Sequence, residues 1–180
     1  MIYIFLAVGF EEIEALTPVD VFRRAGLSTT TVSMMDELTV TGSHRINVEA
    51  DALFSEVDFS DADLLLLPGG MPGTMHLGSS QELRKVVTAH AKAGKPTAAI
   101  CAAPSVLGCW GLLEGKEAIC YRGYEKGLIG ATVSKKKVVR DGNIVTAAGM
   151  GVSLDFSLEC LCLLGHAETA AQIRKSVIAE

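Results

Sequence analysis

The 180-residue sequence predicts an α/β fold built on a mostly parallel sheet, and three observations carry that expectation. Strand-like and helix-like segments alternate along the chain. Residues 2–8, 63–67 and 97–100 are apolar runs of the kind that strands covered on both faces require. Each run ends in small or turn-forming residues, which are Gly9, Pro68-Gly69-Gly70 and Cys101-Ala102-Ala103-Pro104. A strand–helix–strand order of this kind places helices on both faces of the sheet and ligands in the crevice beyond the carboxyl ends of the strands.

The elements follow in order. After the first strand, residues 10–25 show helical spacing through Ile13, Leu16, Val21 and Phe22. Pro18 should kink or restart that helix, with Thr17 as its cap. Residues 27–34, rich in Thr and Val, read as the second strand. Residues 40–48, interrupted by Gly42-Ser43, read as an edge excursion or hairpin. Residues 63–67 form a third core strand. A helix over 80–93 starts at Ser80 with Glu82 in its first turn and stops at Gly94. Residues 97–100 form the fourth strand, followed by a short helix over 104–112. A strand is expected over 118–121, and a hairpin of 131–139 with 143–147 about Asp141-Gly142. Helices over 153–165 and 167–177 close the chain. No repeat or linker interrupts it, so residues 1–180 read as a single domain with a doubly wound, flavodoxin-like sheet.

Composition narrows the function. Hydrophobic residues make up 49% and charged residues 21%, ordinary values for a globular domain. The net charge of −5 leaves no basic stripe for counterion release, which argues against nucleic acid as a partner. The run Lys135-Lys136-Lys137 reads as a solvated hairpin tip. Five cysteines, at 101, 109, 120, 160 and 162, show no zinc-type pairing, so no disulfide framework and no metal site is expected. Reduced thiols point to the cytoplasm. Residues 2–8 are too short for a signal segment and run into Glu11 and Glu12, and no stretch approaches a membrane span.

Cys101 is the leading candidate for chemistry. It joins an apolar strand to a helix, with Ala99 and Ala103 as the small residues two positions to either side that a sharp nucleophile elbow requires. The helix opening near Pro104 would direct its N–H groups at the sulfur and lower the thiol pKa. A buried structural thiol fits the same residues. The Gly70 amide, in the turn after the third strand, and the Ala102 amide can form an oxyanion hole there, although Pro68-Gly69-Gly70 also fits a simple turn. Glu14 lies among Ile13, Ala15 and Leu16, so burial can keep it protonated and donating to a thiolate. Glu11 and Glu12 read as solvated charges at a helix start. Cys109, Cys120, Cys160 and Cys162 lie in apolar stretches and read as inert.

Four ordered segments carry a resemblance. They are Gly-Phe-Glu-Glu-Ile-Glu from residue 9, Pro-Val-Asp-Val-Phe-Arg-Arg-Ala-Gly from 18, Leu-Leu-Pro-Gly-Gly from 66 and Ala-Ala-Ile-Cys-Ala-Ala-Pro from 98. Together with 138–147, they resemble the ThiJ/PfpI superfamily, in its Parkinsonism-associated deglycase-like branch, over nearly the whole chain. The resemblance implies that Cys101 is the nucleophilic, easily oxidised cysteine, Glu14 its protonated neighbour, and Gly70 and Ala102 the backbone oxyanion donors. It implies a homodimer in which the loop holding His44 and Arg45 reaches the partner subunit's site. On the sequence alone His44 is a surface histidine.

Departures from the superfamily matter as much. The peptidase-like branch has a histidine directly after the nucleophile, where this chain has Ala102, and other branches have one near Gly130-Ala131-Thr132. His76 follows the Pro-Gly-Gly turn and can lie near the crevice, whereas His90 and His166 read as surface residues. The resemblance therefore implies a cofactor-free enzyme acting on reactive dicarbonyls such as methylglyoxal, of glyoxalase or deglycase type, through Cys101 and Glu14. The alternative is a non-enzymatic redox sensor or chaperone that uses oxidation of Cys101. Amide hydrolysis is a weaker third, since a Cys-His-acid triad lacks its base.

Overall fold

A computed structural model describes residues 1–179. In chain order its elements are β1 (Ile2–Leu6), α1 (Glu12–Arg24), β2 (Thr29–Ser33), β3 (Thr39–Thr41), β4 (Asn47–Glu49), β5 (Ala52–Leu53), β6 (Leu64–Leu67), α2 (Gly73–Ser79), α3 (Gln81–Lys92), β7 (Thr97–Ile100), α4 (Pro104–Cys109), β8 (Glu117–Ala118), β9 (Thr132–Val133), β10 (Val138–Asp141), β11 (Ile144–Ala147), α5 (Ser153–Leu163) and α6 (Ala167–Ser176). Seven strands make the central sheet in the order β10-β11-β7-β6-β1-β2-β5. All its pairs are parallel except the β10–β11 hairpin. The mostly parallel, doubly wound α/β architecture is the one the alternating segments require.

Period-two alternation assigns each β1 side chain to one of two cores. Ile2, Ile4 and Leu6 point to one face and pack with Phe22 of α1 and Phe156 and Leu161 of α5. Tyr3 and Phe5 point to the other and pack with Leu83 and Val87 of α3 and Leu107 of α4. Every residue of β1, β6, β7 and β11 is buried, which explains why these strands read as continuous rather than alternating apolar runs.

Several expectations need correction. Pro18 does not break the first helix, because α1 runs through it and buries the ring. The proline omits only the i→i−4 bond that would have reached the Glu14 carbonyl. The strand expected over 131–139 divides into β9 and β10. Between them the Ser134 hydroxyl donates to Glu117 Oε1 at 2.6 Å and accepts from the Lys136 amide at 3.1 Å, which bends the chain. Lys135, Lys136 and Lys137 are exposed on that bend, away from the Asp141-Gly142-Asn143 tip of the β10–β11 hairpin. Two elements escaped notice. β5 is too short to show a period, and α2 was hidden by its glycines and by the turn before it. The β3–β4 hairpin forms as expected and stands apart from the main sheet.

Leu66, 0% exposed in β6 at the middle of the sheet, provides a test of this core. Leu66→Ala should lower unfolding free energy by about 2–5 kcal/mol in denaturant titration, through lost burial and the cavity left behind. A loss below about 1 kcal/mol would contradict the packing described.

Candidate active site

Strands β7, β6 and β1 are consecutive neighbours in the sheet and parallel, so the segments leaving their carboxyl ends converge. Cys101 is the first residue after β7 and adopts a φ of +65°. Such a left-handed conformation is strained for a residue with a side chain. Its backbone is held from both sides, since its N–H donates to Ala147 O at 2.9 Å and its carbonyl accepts from the Tyr121 amide at 2.6 Å. Ala102 and Ala103 are buried directly after it, so the expected elbow is present. The sulfur-bearing residue is half-buried.

Glu14 lies in the first turn of α1 and is 1% exposed. Its Oε2 accepts from the Gly69 amide at 3.0 Å, and the Met150 amide and the Cys101 thiol also bond to its carboxyl. Gly69 is required for this arrangement. A Cβ there would lie 2.5 Å from Glu14 Oε2 and 2.6 Å from Cys101 Cβ, closer than atoms can pack. The Gly70 and Ala102 amides both bond to the Cys101 sulfur.

Burial pushes Glu14 up to about 7, with the nearby Glu11 charge adding to it, while bonds from Cys101 and the Gly69 and Met150 amides pull the other way. Burial likewise pushes the Cys101 thiol up to about 12, reinforced by the Glu14 charge and its hydrogen bond and opposed by the Ala102 and Gly70 amides. The expectation that the helix would depress the thiol pKa is thus reversed. Burial of the sulfur is the largest cause, the Glu14 charge adds to it, and the bonds from the Ala102 and Gly70 amides do not offset the two. The pair holds two protons below about pH 7 and one above it. A thiolate can therefore arise by moving the shared proton onto Glu14, without losing it to solvent.

Other expectations fare unevenly. Glu11 and Glu12 are not solvated. The Glu11 carboxylate caps α1 by accepting the Glu14 amide at 2.7 Å, and Glu12 is 2% exposed beneath the β3–β4 hairpin. His44 and Arg45 occupy the exposed tip of that hairpin, and His44 bonds to Glu12 rather than to Cys101. Donor atoms of Glu11, Glu12 and His44 gather within 4.8 Å, but they are turned on one another at the positive end of α1, a poor place for a cation. His76 is exposed on α2 beside Met34 and Met35. His90, expected at the surface, is 7% exposed, bonded through Nε2 to Pro96 O at 2.8 Å and held below the usual histidine range by burial. Cys109, expected to be inert, is exposed, whereas Cys120 and Cys160 are buried. Sequence reasoning marked the turn holding Gly69 without its contact to Glu14, and it missed Tyr121 and Met150. The glycine pair flagged the first, but backbone contacts from distant loops left no signal for the others.

A family model described as the DJ-1/PfpI family matches residues 1–163. Protein DJ-1 homolog B of Arabidopsis thaliana is 39% identical over 170 residues, which is 93% of this chain and 39% of that relative. The chain therefore spans well under half of that plant protein. Protein dj-1beta of Drosophila melanogaster is 31% identical over 177 residues, covering 97% of this chain and 95% of the relative. The solved structure of oxidized Toxoplasma gondii DJ-1 superposes with a TM-score of 0.94 at 32% identity, covering 98% of this chain and 97% of the other.

Two outcomes test the site's electrostatics. Glu14→Gln removes the charge that opposes the thiolate, so the Cys101 pKa should fall from about 12 while burial still holds it above that of free cysteine, followed by thiolate absorbance in a Cys109→Ser background. An unchanged pKa would mean that Glu14 does not act on the sulfur. Limited alkylation of the unsubstituted protein should modify Cys109 and Cys101 while sparing Cys120 and Cys160 until the protein unfolds.

Proposed function

The chain belongs to the DJ-1/PfpI family, and from that premise we propose that it is a cysteine-dependent, cofactor-free enzyme converting reactive dicarbonyls such as methylglyoxal into hydroxy acids. The observation that carries this reading is a thiol, a buried carboxyl that shares its proton, and two backbone amides meeting at one sulfur. Such a site supplies a nucleophile, a proton shuttle and an anion cradle without a metal or organic cofactor.

Transfer of the shared proton to Glu14 frees the Cys101 thiolate, which adds to the aldehyde carbon to form a C–S bond. The carbonyl oxygen becomes an alkoxide beside the Gly70 and Ala102 amides and takes the proton from Glu14, giving a hemithioacetal. Glu14, now a carboxylate, removes the hydrogen from that carbon to form an enediolate and returns it to the neighbouring carbon, while the hydroxyl proton on the first carbon's oxygen passes to the oxygen of the second. The first carbon is thereby oxidised and the second reduced, so no external redox partner is needed. The product of this shift is a thioester. Water attacks it, the C–S bond breaks, the hydroxy acid leaves and the thiol is restored. The reading includes a cytoplasmic homodimer, in keeping with five free cysteines, with the His44 and Arg45 loop directed at the partner subunit.

A second reading has a specific observation in its favour, because a structural relative at TM-score 0.94 is an oxidized form. One peroxide would convert the Cys101 thiolate to a sulfenate and release water, and a second would give the sulfinate and another water. Protonated Glu14 and the same amides would hold the new oxygens.

Methylglyoxal turnover separates the two. The enzyme reading expects steady consumption that Cys101→Ser abolishes and Glu14→Gln lowers by about a hundredfold or more. It also expects kcat/KM to rise with pH through about 7, where the pair loses the first of its two protons, and to lose that step in Glu14→Gln. Absence of turnover with selective oxidation of Cys101 by stoichiometric peroxide, read by mass spectrometry, would replace the enzyme with the sensor.

A further inference from the structure

Glu12 is a buried carboxylate in the same helical turn as Glu14, yet it takes no part in the chemistry above. Its oxygens are occupied by the tip of the β3–β4 hairpin. Oε1 accepts the His44 backbone N–H at 2.7 Å, while Oε2 takes the His44 ring Nδ1 at 2.7 Å and the Ser43 hydroxyl at 3.3 Å. Gly42 lets the tip lie flat on this carboxylate, because any Cβ there would strike it. The tip is also bonded to the segment leaving β1, through Gly9 N to Thr41 O at 2.8 Å and Ser43 N to Phe10 O at 2.7 Å. The next amide along that segment, Glu11 N, donates to Gly69 O at 2.9 Å. A continuous run of hydrogen bonds thus joins His44 to the glycine turn whose Gly70 amide reaches the Cys101 sulfur.

We propose that Glu12 and His44 form a positioning pair that clamps the β3–β4 hairpin onto the loops carrying Gly69 and Gly70, and that protonation of His44 tightens the clamp. The consequence for Cys101 rests on the function proposed above, whereas the clamp does not. Within one subunit the charges facing His44 are Glu12 of α1 and, at 3.9 Å, its N-cap Glu11, while on its own loop Ser43 is neutral and Arg45 is exposed. The bond to Glu12 and the Glu12 charge raise His44 above its ordinary 6.5. Burial alone would raise Glu12, but the His44 ring bond, backbone bonds and the His44 charge outweigh it and hold Glu12 below its ordinary value.

The signs follow by linkage. The His44 contribution is complete below about pH 6.5 and is lost as pH rises through its raised value. The Glu12 contribution is complete above its ordinary carboxylate range and is lost as pH falls through its lowered value. The clamp is tightest between these limits and loosens on the alkaline side. Neutral His44 still donates through its backbone N–H and, with the proton on Nδ1, through the ring, so the hairpin loosens rather than detaches.

Amide hydrogen exchange in the full chain tests this without reference to turnover. Within one subunit the His44 side chain is 68% exposed, so replacing it should leave the subunit fold intact. In His44→Ala the Ser43 and Glu11 amides should exchange about tenfold faster than in the unsubstituted protein at pH 6. In His44→Asn, whose side-chain N–H can stand where Nδ1–H stood, protection should be largely restored but should no longer weaken between pH 6 and 9 beyond the intrinsic rate. Glu12→Gln should lower the His44 pKa, read by ring proton shifts. Equal protection of Ser43 and Glu11 with and without the His44 side chain would overturn the proposal, as would an unchanged His44 pKa in Glu12→Gln. If these results hold and dicarbonyl turnover is absent, the clamp stands and only the function proposed for Cys101 fails.

Discussion

The structure around the site depends on one constraint: a carboxyl must be buried against a thiol with only the width of a glycine between their supporting chains. Gly69 supplies that width, and its amide bonds to the carboxyl it accommodates. The constraint can be met only where three segments meet. Glu14 follows β1, Gly69 follows β6 and Cys101 follows β7, three adjacent parallel strands whose carboxyl ends lie together. The fold therefore serves the site chiefly through strand order. An antiparallel neighbour in this part of the sheet would carry one of the three groups to the opposite edge.

Two carboxylates two residues apart on α1 show how partners decide the charge state of buried acids. Glu12 and Glu14 are 2% and 1% exposed, so desolvation opposes ionisation at both. Glu12 meets a histidine ring, a backbone N–H and a hydroxyl, and stays ionised. Glu14 meets a thiol that competes with it for charge, and burial prevails. One helical turn thus carries a fixed anion that anchors structure and a titrating acid that can move a proton. The strain at Cys101, of order 1–3 kcal/mol for a left-handed residue, is sustained by backbone bonds to β11 and to the Tyr121 loop.

Legibility in the sequence followed the range of the interactions. Strands buried on both faces could be read because burial leaves a continuous apolar run, and the 97–100 strand coincides with β7. The elbow at Cys101 was visible because its steric demand falls on residues within two positions. Glu14 stood out as an acid among apolar neighbours. Glu11 and Glu12 were misread because the same local pattern suits a solvated helix start, and the groups that cover Glu12 lie some thirty residues further on. The raised thiol pKa is illegible for a related reason: the helix effect is local, whereas the burial of the sulfur and the Glu14 charge beside it come from the tertiary packing. His90 and Cys109 were misplaced because helix α3 turns the histidine toward Pro96 while α4 turns the cysteine outward, and neither rotation is set by composition.

The proposed catalysis and the proposed sensing would make nearly the same demand on this pocket, since each would place an anionic oxygen next to the sulfur, to which Glu14 and the Gly70 and Ala102 amides bond. What differs is the exit from the adduct. A hemithioacetal formed from a dicarbonyl carries a hydrogen on the carbon bonded to sulfur, acidified by the neighbouring carbonyl, so a carboxylate beside it can draw the adduct on to a thioester that water cleaves. A sulfinate has no such hydrogen and no bond that water can break to restore the thiol. An acid that titrates near 7 gives the first adduct a way out, since it can donate a proton and then remove one in the same pH range. A sensor needs only the donor. The near-neutral Glu14 is for that reason a better match to turnover than to storage of an oxidised sulfur.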